Sequence, residues 1–277
     1  MAYVAGEPLT TAELLTPMIE AVGGEMLGDR VLHTVLKRRL ALAEIEIGPE
    51  QIETERRLIL RSLADDPDEA ARLLRELRTR RGWGDQRFAD LLERNAGLRA
   101  MVADQVTVTD GAVQREYRLR YGPATRVRLI TVSSLRDAQD LRRRAEAGGS
   151  FAELAALHST DPSAAAGGLL SPIREDDTSY PDTLRAAIAA LEPGQVSSPL
   201  GLDGQFALVR VEEKIAGAEV EFDDVKGELA TAVRARAERV LMQQLARELV
   251  SDADVVVLDP TLKALWEAQR KALLRQP

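Results

Sequence analysis

Few side chains in this chain could do chemistry, because it contains two histidines and no cysteine. Without cysteine there can be no disulfide, thiolate nucleophile or cysteine-based metal site. His33 and His158 lie far apart and lack any spacing typical of zinc ligands, so no metal site is predicted. The carboxylate that stands out is Asp161, in the polar segment Ser159–Ser163. An aspartate before a proline is a good turn residue, so a catalytic role needs support from the surrounding segments.

Composition limits the class of protein. With 277 residues the chain exceeds the usual size of one domain, and 45% apolar residues are enough for a real core. Aromatic residues make up only 4%, and alanine and leucine dominate, which predicts a mostly helical protein. The net charge of −8 argues against a general nucleic-acid binder, which needs a clustered positive field. No run approaches the ~18 apolar residues of a membrane span.

The segments around Asp161 predict a small α+β unit. Ser150 and Glu153 form a capping-box pattern that starts a helix before the Asp161 turn, and Gly167-Gly168 ends the turn. The other predicted elements are a strand at 126–132, helices at 134–147 and 182–191, and antiparallel strands near 195–199 and 205–213.

Two of these segments resemble the parvulin family of peptidyl-prolyl isomerases. They are SFAELAALHSTDPSAAAGGLL at 150–170 and LEPGQVSSPLGLDGQFALVRVEEK at 191–214. Two earlier segments, VAGEPLTTAEL at 4–14 and VTVTDGAVQREY at 106–117, resemble the extracytoplasmic foldases related to SurA and PrsA. The resemblance implies a mainly helical chaperone domain with an inserted parvulin-like domain, and it implies no cofactor.

Domain limits follow from this resemblance and from the helical pattern. We predict an N-terminal helical chaperone-like domain at 1–122 and a parvulin-like domain at 123–215. C-terminal helices at 216–277 would pack back on the N-terminal domain, because the long helix near 222–249 carries two apolar stripes and needs partners. Trp266 either covers the helical core or contacts a client or a second copy, which leaves a homodimer open.

The resemblance also assigns a catalytic set. Parvulins are thought to favour the twisted prolyl amide with two histidines and a cysteine or aspartate beside an apolar proline pocket. Asp161 occupies the cysteine or aspartate position, whereas Leu129 and Ala207 occupy the two histidine positions. We therefore predict a retained fold with a degenerate active site in which Asp161 is the remaining catalytic candidate.

The substrate-binding residues implied by the resemblance are altered too. Leu170 keeps the apolar residue after the glycine pair, and Ser179 replaces a methionine of the family pattern. Leu184, one residue displaced, supplies the bulk of the family phenylalanine, and Phe206 completes the predicted set.

Two classes of function remain at this stage. One is a foldase with residual peptidyl-prolyl isomerase activity, and the other is a binding chaperone without catalysis; a dedicated cytoplasmic maturation factor for one client is a third reading. Each predicts client polypeptides as partners and no nucleic acid. The N-terminus lacks the basic and apolar regions of a signal peptide, so the expected location is the periplasm or cell envelope if such a peptide was removed, and the cytoplasm otherwise.

Overall fold

The computed structural model describes residues 2–275, and the chain divides into two compact units. One unit comprises Met1–Thr107 and Arg234–Pro277, and the other comprises Val108–Val233. In sequence, the second unit is inserted between the two parts of the first. The compact second unit is broader than the predicted module at 123–215, and the domain limits 1–122, 123–215 and 216–277 remain predictions.

The elements of both units follow one another along the chain. The strands are β1 (Ala2–Val4), β2 (Glu7–Leu9), β3 (Ala124–Val132), β4 (Leu200–Leu202) and β5 (Gln205–Ile215). The helices are α1 (Thr11–Leu42), α2 (Pro49–Leu63), α3 (Pro67–Arg81), α4 (Asp85–Val102), α5 (Asp110–Tyr121), α6 (Leu135–Glu146), α7 (Phe151–His158), α8 (Asp182–Ala190), α9 (Phe222–Ser251) and α10 (Pro260–Arg275). Short 3₁₀ turns occupy Ala103–Gln105 and Pro162–Ala166.

The first unit is helical, with the β1-β2 hairpin at its start. A capping box starts α1: the Thr10 N–H donates to Glu13 Oε2 over 2.7 Å, and the Glu13 N–H donates to Thr10 Oγ1 over 3.4 Å. This reciprocal pair satisfies two backbone donors at the start of α1. One core cluster of the first unit is built on the aliphatic residues Leu36, Leu98 and Val102.

Trp266 belongs to the core of the first unit. The side chain is 4% exposed and packs with Val31 and Val250. Close approach of α10 to α1 depends on Gly24, where a Cβ would lie 3.1 Å from the Leu265 carbonyl oxygen. Of the two alternatives for Trp266, the structure therefore has the first, in which the side chain covers the helical core.

The second unit contains a three-stranded antiparallel sheet in the order β3-β5-β4. In this register Leu129 lies opposite Val209, and Thr131 lies opposite Ala207. The prediction of a regular strand near 195–199 is wrong: the strand that pairs with β5 at this edge of the sheet is β4, at Leu200–Leu202. Residues 194–197 still bond to β5, since the Ser197 N–H donates to the Val209 carbonyl oxygen over 2.8 Å.

Side chains alternate across this sheet and form one apolar cluster on each face. The site-face cluster contains Val127, Leu129, Ile173, Leu184, Ile188, Ala207, Val209 and Val211. The back-face cluster contains Ile130, Val132, Ala138, Leu141, Phe151, Leu154, Ala155 and Leu208. The predicted α+β class, mainly helical with a small antiparallel sheet, is confirmed. Among the helices described, none is both long enough and apolar enough to span a membrane.

Candidate functional site

Leu129 and Ala207 lie together on the site face of the sheet. Leu129 is 7% exposed and Ala207 is fully buried, and both belong to the site-face cluster. Ala207 is flanked across the ladders by Thr131 of β3 and Leu200 of β4. The two positions that the resemblance assigns to imidazoles are therefore occupied by buried aliphatic side chains, which can neither donate nor accept a hydrogen bond.

Asp161 begins the 3₁₀ turn Pro162–Ala166. Its Oδ1 accepts hydrogen bonds from the Ser163 N–H at 2.8 Å and the Ser163 hydroxyl at 2.5 Å. Contacts to β3 hold the turn in place: the Thr160 N–H donates to the Thr131 carbonyl oxygen over 2.8 Å, and the Thr131 N–H donates to Ser159 Oγ over 3.0 Å. The turn role of Asp161 is thus present in the structure, and its catalytic role stays a prediction.

Leu170 is placed beside β3 by the glycine pair before it. The Leu129 N–H donates to the Gly168 carbonyl oxygen over 2.8 Å, and the Leu170 N–H donates to the Val127 carbonyl oxygen over 3.1 Å. Gly168 has φ +74°, a backbone conformation that side chains disfavour. As a result the partly buried Leu170 packs against the site-face cluster.

Ser179 and Leu184 have different surroundings. Leu184, in α8, is 2% exposed and is part of the site-face cluster. Ser179 is exposed, and its hydroxyl donates to Asp177 Oδ1 of its own loop over 2.5 Å. The structure therefore brings Leu184 to Leu129, Leu170 and Ala207 and leaves Ser179 outside this group.

Phe206 requires a correction. It packs against the back-face cluster, on the side of the sheet opposite Leu129. Phe206 and Ala207 are consecutive residues of one strand, and consecutive strand residues point to opposite faces. Placing both at one site was inconsistent with this alternation, and Phe206 is removed from the candidate site.

Tyr180 is the residue that the sequence analysis missed. It is partly buried and packs against the site-face cluster. The sequence analysis placed the family methionine at Ser179 and left Leu184 one residue away from the family phenylalanine. Moving the alignment by that one residue puts Tyr180 at the methionine position. Aligning the segment on Leu184, the apolar anchor of α8, would have found it.

The Tyr180 phenol lies in a negative electrostatic environment. Burial raises its pKa above the usual value of 10.0, and the charges of Asp177 and Asp161 raise the pKa further because they oppose a phenolate. The phenol is therefore a neutral hydrogen-bond donor at physiological pH. Its backbone is held by Arg185, whose Nε donates to the Tyr180 carbonyl oxygen over 3.2 Å.

This arrangement offers an apolar surface with a carboxylate and a phenol near it. Such a surface suits a proline ring or another apolar side chain, and the phenol could donate to a peptide carbonyl. Within residues 2–272, no three histidine, aspartate or glutamate side chains are grouped as metal ligands.

The second unit coincides with a known domain family. Residues 108–227 match the PPIC-type PPIASE domain. Among curated proteins, the chain is similar to the foldase protein PrsA of Geobacillus kaustophilus, at 27% identity over 95% of this chain and 88% of the relative. It is similar to the chaperone SurA of Nitrosospira multiformis at 34% identity, over 44% of this chain and 28% of the relative.

Solved structures include the peptidylprolyl isomerase PrsA of Bacillus anthracis. It covers 84% of this chain and 100% of its own length, with 17% identity and a TM-score of 0.48.

The domain match and the sequence relatives confirm the predicted resemblance: residues 108–227 form a parvulin-type, PPIC-class domain, carried by a chain that resembles the PrsA and SurA foldases.

Proposed function

We propose that this protein is a foldase-type chaperone that binds non-native polypeptides and has weak or no peptidyl-prolyl isomerase activity. The proposal of binding is supported by the PPIC-type domain and by the relatives named foldase and chaperone. The observation that carries the reduced catalysis is the burial of Leu129 and Ala207 where the family has imidazoles. Without them, few polar groups remain to favour the twisted amide over the planar one.

A surface of the first unit supports the binding of apolar chain segments. Along α1, Leu14, Met18 and Val22 recur at four-residue spacing, so they share one face of the helix. They are 41%, 54% and 42% exposed. We call these three residues the α1 stripe. Apolar surface that remains exposed in regular spacing is typical of protein-interaction sites.

Suppression of aggregation tests the chaperone proposal. We expect the full chain to suppress the aggregation of a chemically unfolded client at equimolar dose, measured by light scattering. Replacing the α1 stripe with Leu14→Gln, Met18→Gln and Val22→Gln should weaken the suppression. The matched control is Val256→Gln with Leu258→Gln, which changes two side chains that are 79% and 90% exposed outside the stripe. A wild-type chain that leaves aggregation unchanged would contradict the proposal.

Two other readings have their own tests. A foldase with residual isomerase activity requires Asp161 or another polar group to assist the reaction. A rate of cis–trans prolyl exchange above the uncatalysed rate would support this hypothesis. A maturation factor dedicated to one client would protect that client and leave unrelated unfolded proteins to aggregate.

For location, we propose the cell envelope. A chain without cysteine suits an oxidising compartment, where a stray thiol is a liability. Fractionation of cells that make the protein tests this proposal, and recovery in the cytosolic fraction alone would contradict it.

A further inference from the structure

We propose that a groove beside Trp83, in the first unit, binds an acidic segment of a polypeptide. In this assignment Arg75 pairs with a carboxylate of the segment, and the Trp83 indole contacts the adjoining chain and donates a hydrogen bond to one of its oxygens. The assignment rests on the proposed function, in which the protein binds polypeptides, and it adds a charge preference to the apolar contacts of the α1 stripe.

The Trp83 groove lies where α3 turns into α4. It is open to solvent, has a volume of about 510 Å³, and is lined by Arg75, Arg78, Thr79, Gly82, Trp83 and Gly84. Gly82 ends α3 with φ +62°, the left-handed conformation that glycine adopts without strain. A Cβ added at Gly82 or at Gly84 would meet nothing within 4 Å beyond its chain neighbours. With glycine on both sides of Trp83, no adjacent side chain covers the indole.

The Trp83 ring is held on one side by the core. It is partly buried and packs against the cluster of Leu74, Phe88 and Leu92. Its backbone is tied to α3 twice, because the Trp83 N–H donates to the Arg78 carbonyl oxygen over 2.8 Å and Arg78 Nε donates to the Trp83 carbonyl oxygen over 3.2 Å. A ring fixed in this way loses little conformational entropy when a ligand binds.

The indole N–H of Trp83 is an unused donor. It has no hydrogen-bond acceptor among the described residues. The buried polar atom without a partner in this part of the chain is Arg87 Nε, so the unbonded Trp83 Nε1 reaches solvent. An indole N–H can only donate, so a ligand in the groove must offer it an acceptor.

Arg75 carries a positive charge that the fold does not use. Three other arginines of α3 lie in its last turn, where cations stabilise the negative end of the helix dipole; they are Arg78, Arg80 and Arg81. Arg75 lies before that turn and is exposed. Its guanidinium has no hydrogen-bond or ion-pair partner among the residues that the structure describes. Arg75 is therefore available to a ligand.

The charges around the groove favour an acidic ligand. Between Arg75 and Asp85 there are four arginines and two carboxylates, in a chain whose net charge is −8. Both carboxylates already have partners: Glu76 pairs with Arg72 over 2.5 Å, and Asp85 pairs with Arg78 over 2.6 Å. A guanidinium only donates, and its planar fork matches a carboxylate in a bidentate pair.

The shape of the groove favours a polypeptide over a lipid surface. Arg75 and the indole line one concave groove, which fits a chain segment with a carboxylate beside an apolar residue. A membrane surface would instead be bound by many cations spread over an exposed face.

Binding can be followed through Trp83 itself. The chain has two tryptophans, and Trp266 is only 4% exposed, so a change in tryptophan emission on binding reports on Trp83. The probes are acetyl-Ala-Glu-Leu-Asp-Ala-amide and acetyl-Ala-Gln-Leu-Asn-Ala-amide, which match in size and differ in charge. The acidic peptide should shift the emission of the full chain, and Trp83→Phe should abolish the shift. Calorimetry should give the acidic peptide a Kd at least about 3-fold lower, rising with salt.

Three variants locate the charge that the peptide contacts. Arg75→Gln should raise the Kd of the acidic peptide at least about 3-fold and leave that of the amide peptide unchanged. Arg136→Gln makes the same change at an exposed arginine of α6, in the second unit, and should leave both unchanged. Gly84→Asp adds a carboxylate at the groove, at the N-cap of α4 where aspartate is favoured. It should weaken binding of the acidic peptide without lowering the thermal unfolding midpoint.

The assignment is overturned if the two peptides bind alike, or if Arg75→Gln and Arg136→Gln weaken binding equally. It is also overturned, in favour of a lipid surface, if phosphatidylglycerol vesicles shift the Trp83 emission and the acidic peptide does not.

Failure of this assignment and failure of the proposed function give different results. A chain that suppresses aggregation but does not bind the acidic peptide overturns the role of the Trp83 groove and keeps the chaperone function. A chain that binds the acidic peptide through Arg75 but does not suppress aggregation overturns the chaperone function and keeps the role of the groove.

Discussion

The backbones of Gly168 and Leu129 are in direct contact. The Leu129 N–H donates to the Gly168 carbonyl oxygen over 2.8 Å, and a Cβ added at Gly168 would lie 2.3 Å from the Leu129 carbonyl oxygen. This contact fixes the start of the segment that carries Leu170, so the sheet and the candidate site depend on it.

We predict that Gly168→Ala destabilises the second unit by at least about 2 kcal/mol, because the positive φ and the backbone clash act together. Urea unfolding measures this change. Gly194→Ala is the matched control, since Gly194 also has positive φ, at +87°, but no atom lies within 4 Å of its added Cβ. It should cost only about 1 kcal/mol, and equal losses for the two variants would show that the clash is unimportant.

Arg99 joins two buried carboxylates in the first unit. It bonds to Glu55, which is 2% exposed, and to Glu238, which is 8% exposed. Arg99→Met should cost about 3 kcal/mol, because it leaves a buried carboxylate without its partner. Arg72→Met removes the exposed pairs with Glu69 and Glu76 and should change the free energy of unfolding by less than about 1 kcal/mol. Similar losses of unfolding free energy in Arg99→Met and Arg72→Met would contradict the expectation that the buried ion pairs matter more than the exposed ones.

Ala207 leaves no space for the imidazole that the resemblance assigns to this position. Because it is fully buried between Thr131 and Leu200, Ala207→His should cost about 1 to 3 kcal/mol from overpacking. Gln205→His, at an exposed position of the same strand, should stay within about 0.5 kcal/mol of wild type. If the urea concentration at the unfolding midpoint of Ala207→His equals that of wild type, the site face has more room than the structure indicates.

Tyr180 should make the stability of the fold depend on pH in the alkaline range. Its pKa in the folded chain is raised above 10.0, mainly by burial, so the unfolded state loses the phenolic proton first as pH rises. The contribution of the neutral Tyr180 phenol to the free energy of unfolding is fully present below pH 10, and it is lost as pH rises through the pKa of the folded chain. Wild type should therefore lose more stability than Tyr180→Phe over that interval. Absorbance at the phenolate band, as the difference between the two proteins, should show a tyrosine that ionises late.

Much of the fold could be predicted from local sequence signals. Thr10 with Glu13, Pro49 and Asp66-Pro67 mark helix starts by rules that involve only neighbouring residues, and the structure has helices beginning at these points. The strand near 195–199 could not be placed, because its register depends on the turn at 203–204 and on pairing with β5.

The candidate site was predicted less completely than the fold. Leu129, Ala207, Leu170 and Leu184 were assigned by their place in family motifs, and the structure brings all four to one face. Tyr180 was missed because the loop at 171–181 has no periodic pattern, and the segment was aligned on Ser179 instead of on Leu184. Its contact with the site-face cluster shows which alignment the structure has. Phe206 was misplaced by following the motif without the two-residue alternation of a strand.

The central claim is that this chain keeps a parvulin-type binding face while its catalytic polar set is reduced. The most direct test is the cis–trans exchange rate of Ala-Leu-Pro-Phe, measured by NMR exchange spectroscopy with the full chain and with Asp161→Ala. We predict peptide binding with a kcat/KM at least about 100-fold below that of a parvulin domain that has both imidazoles. We also predict that Asp161→Ala removes whatever acceleration remains. A kcat/KM within about 10-fold of that parvulin domain, unchanged in Asp161→Ala, would contradict the claim.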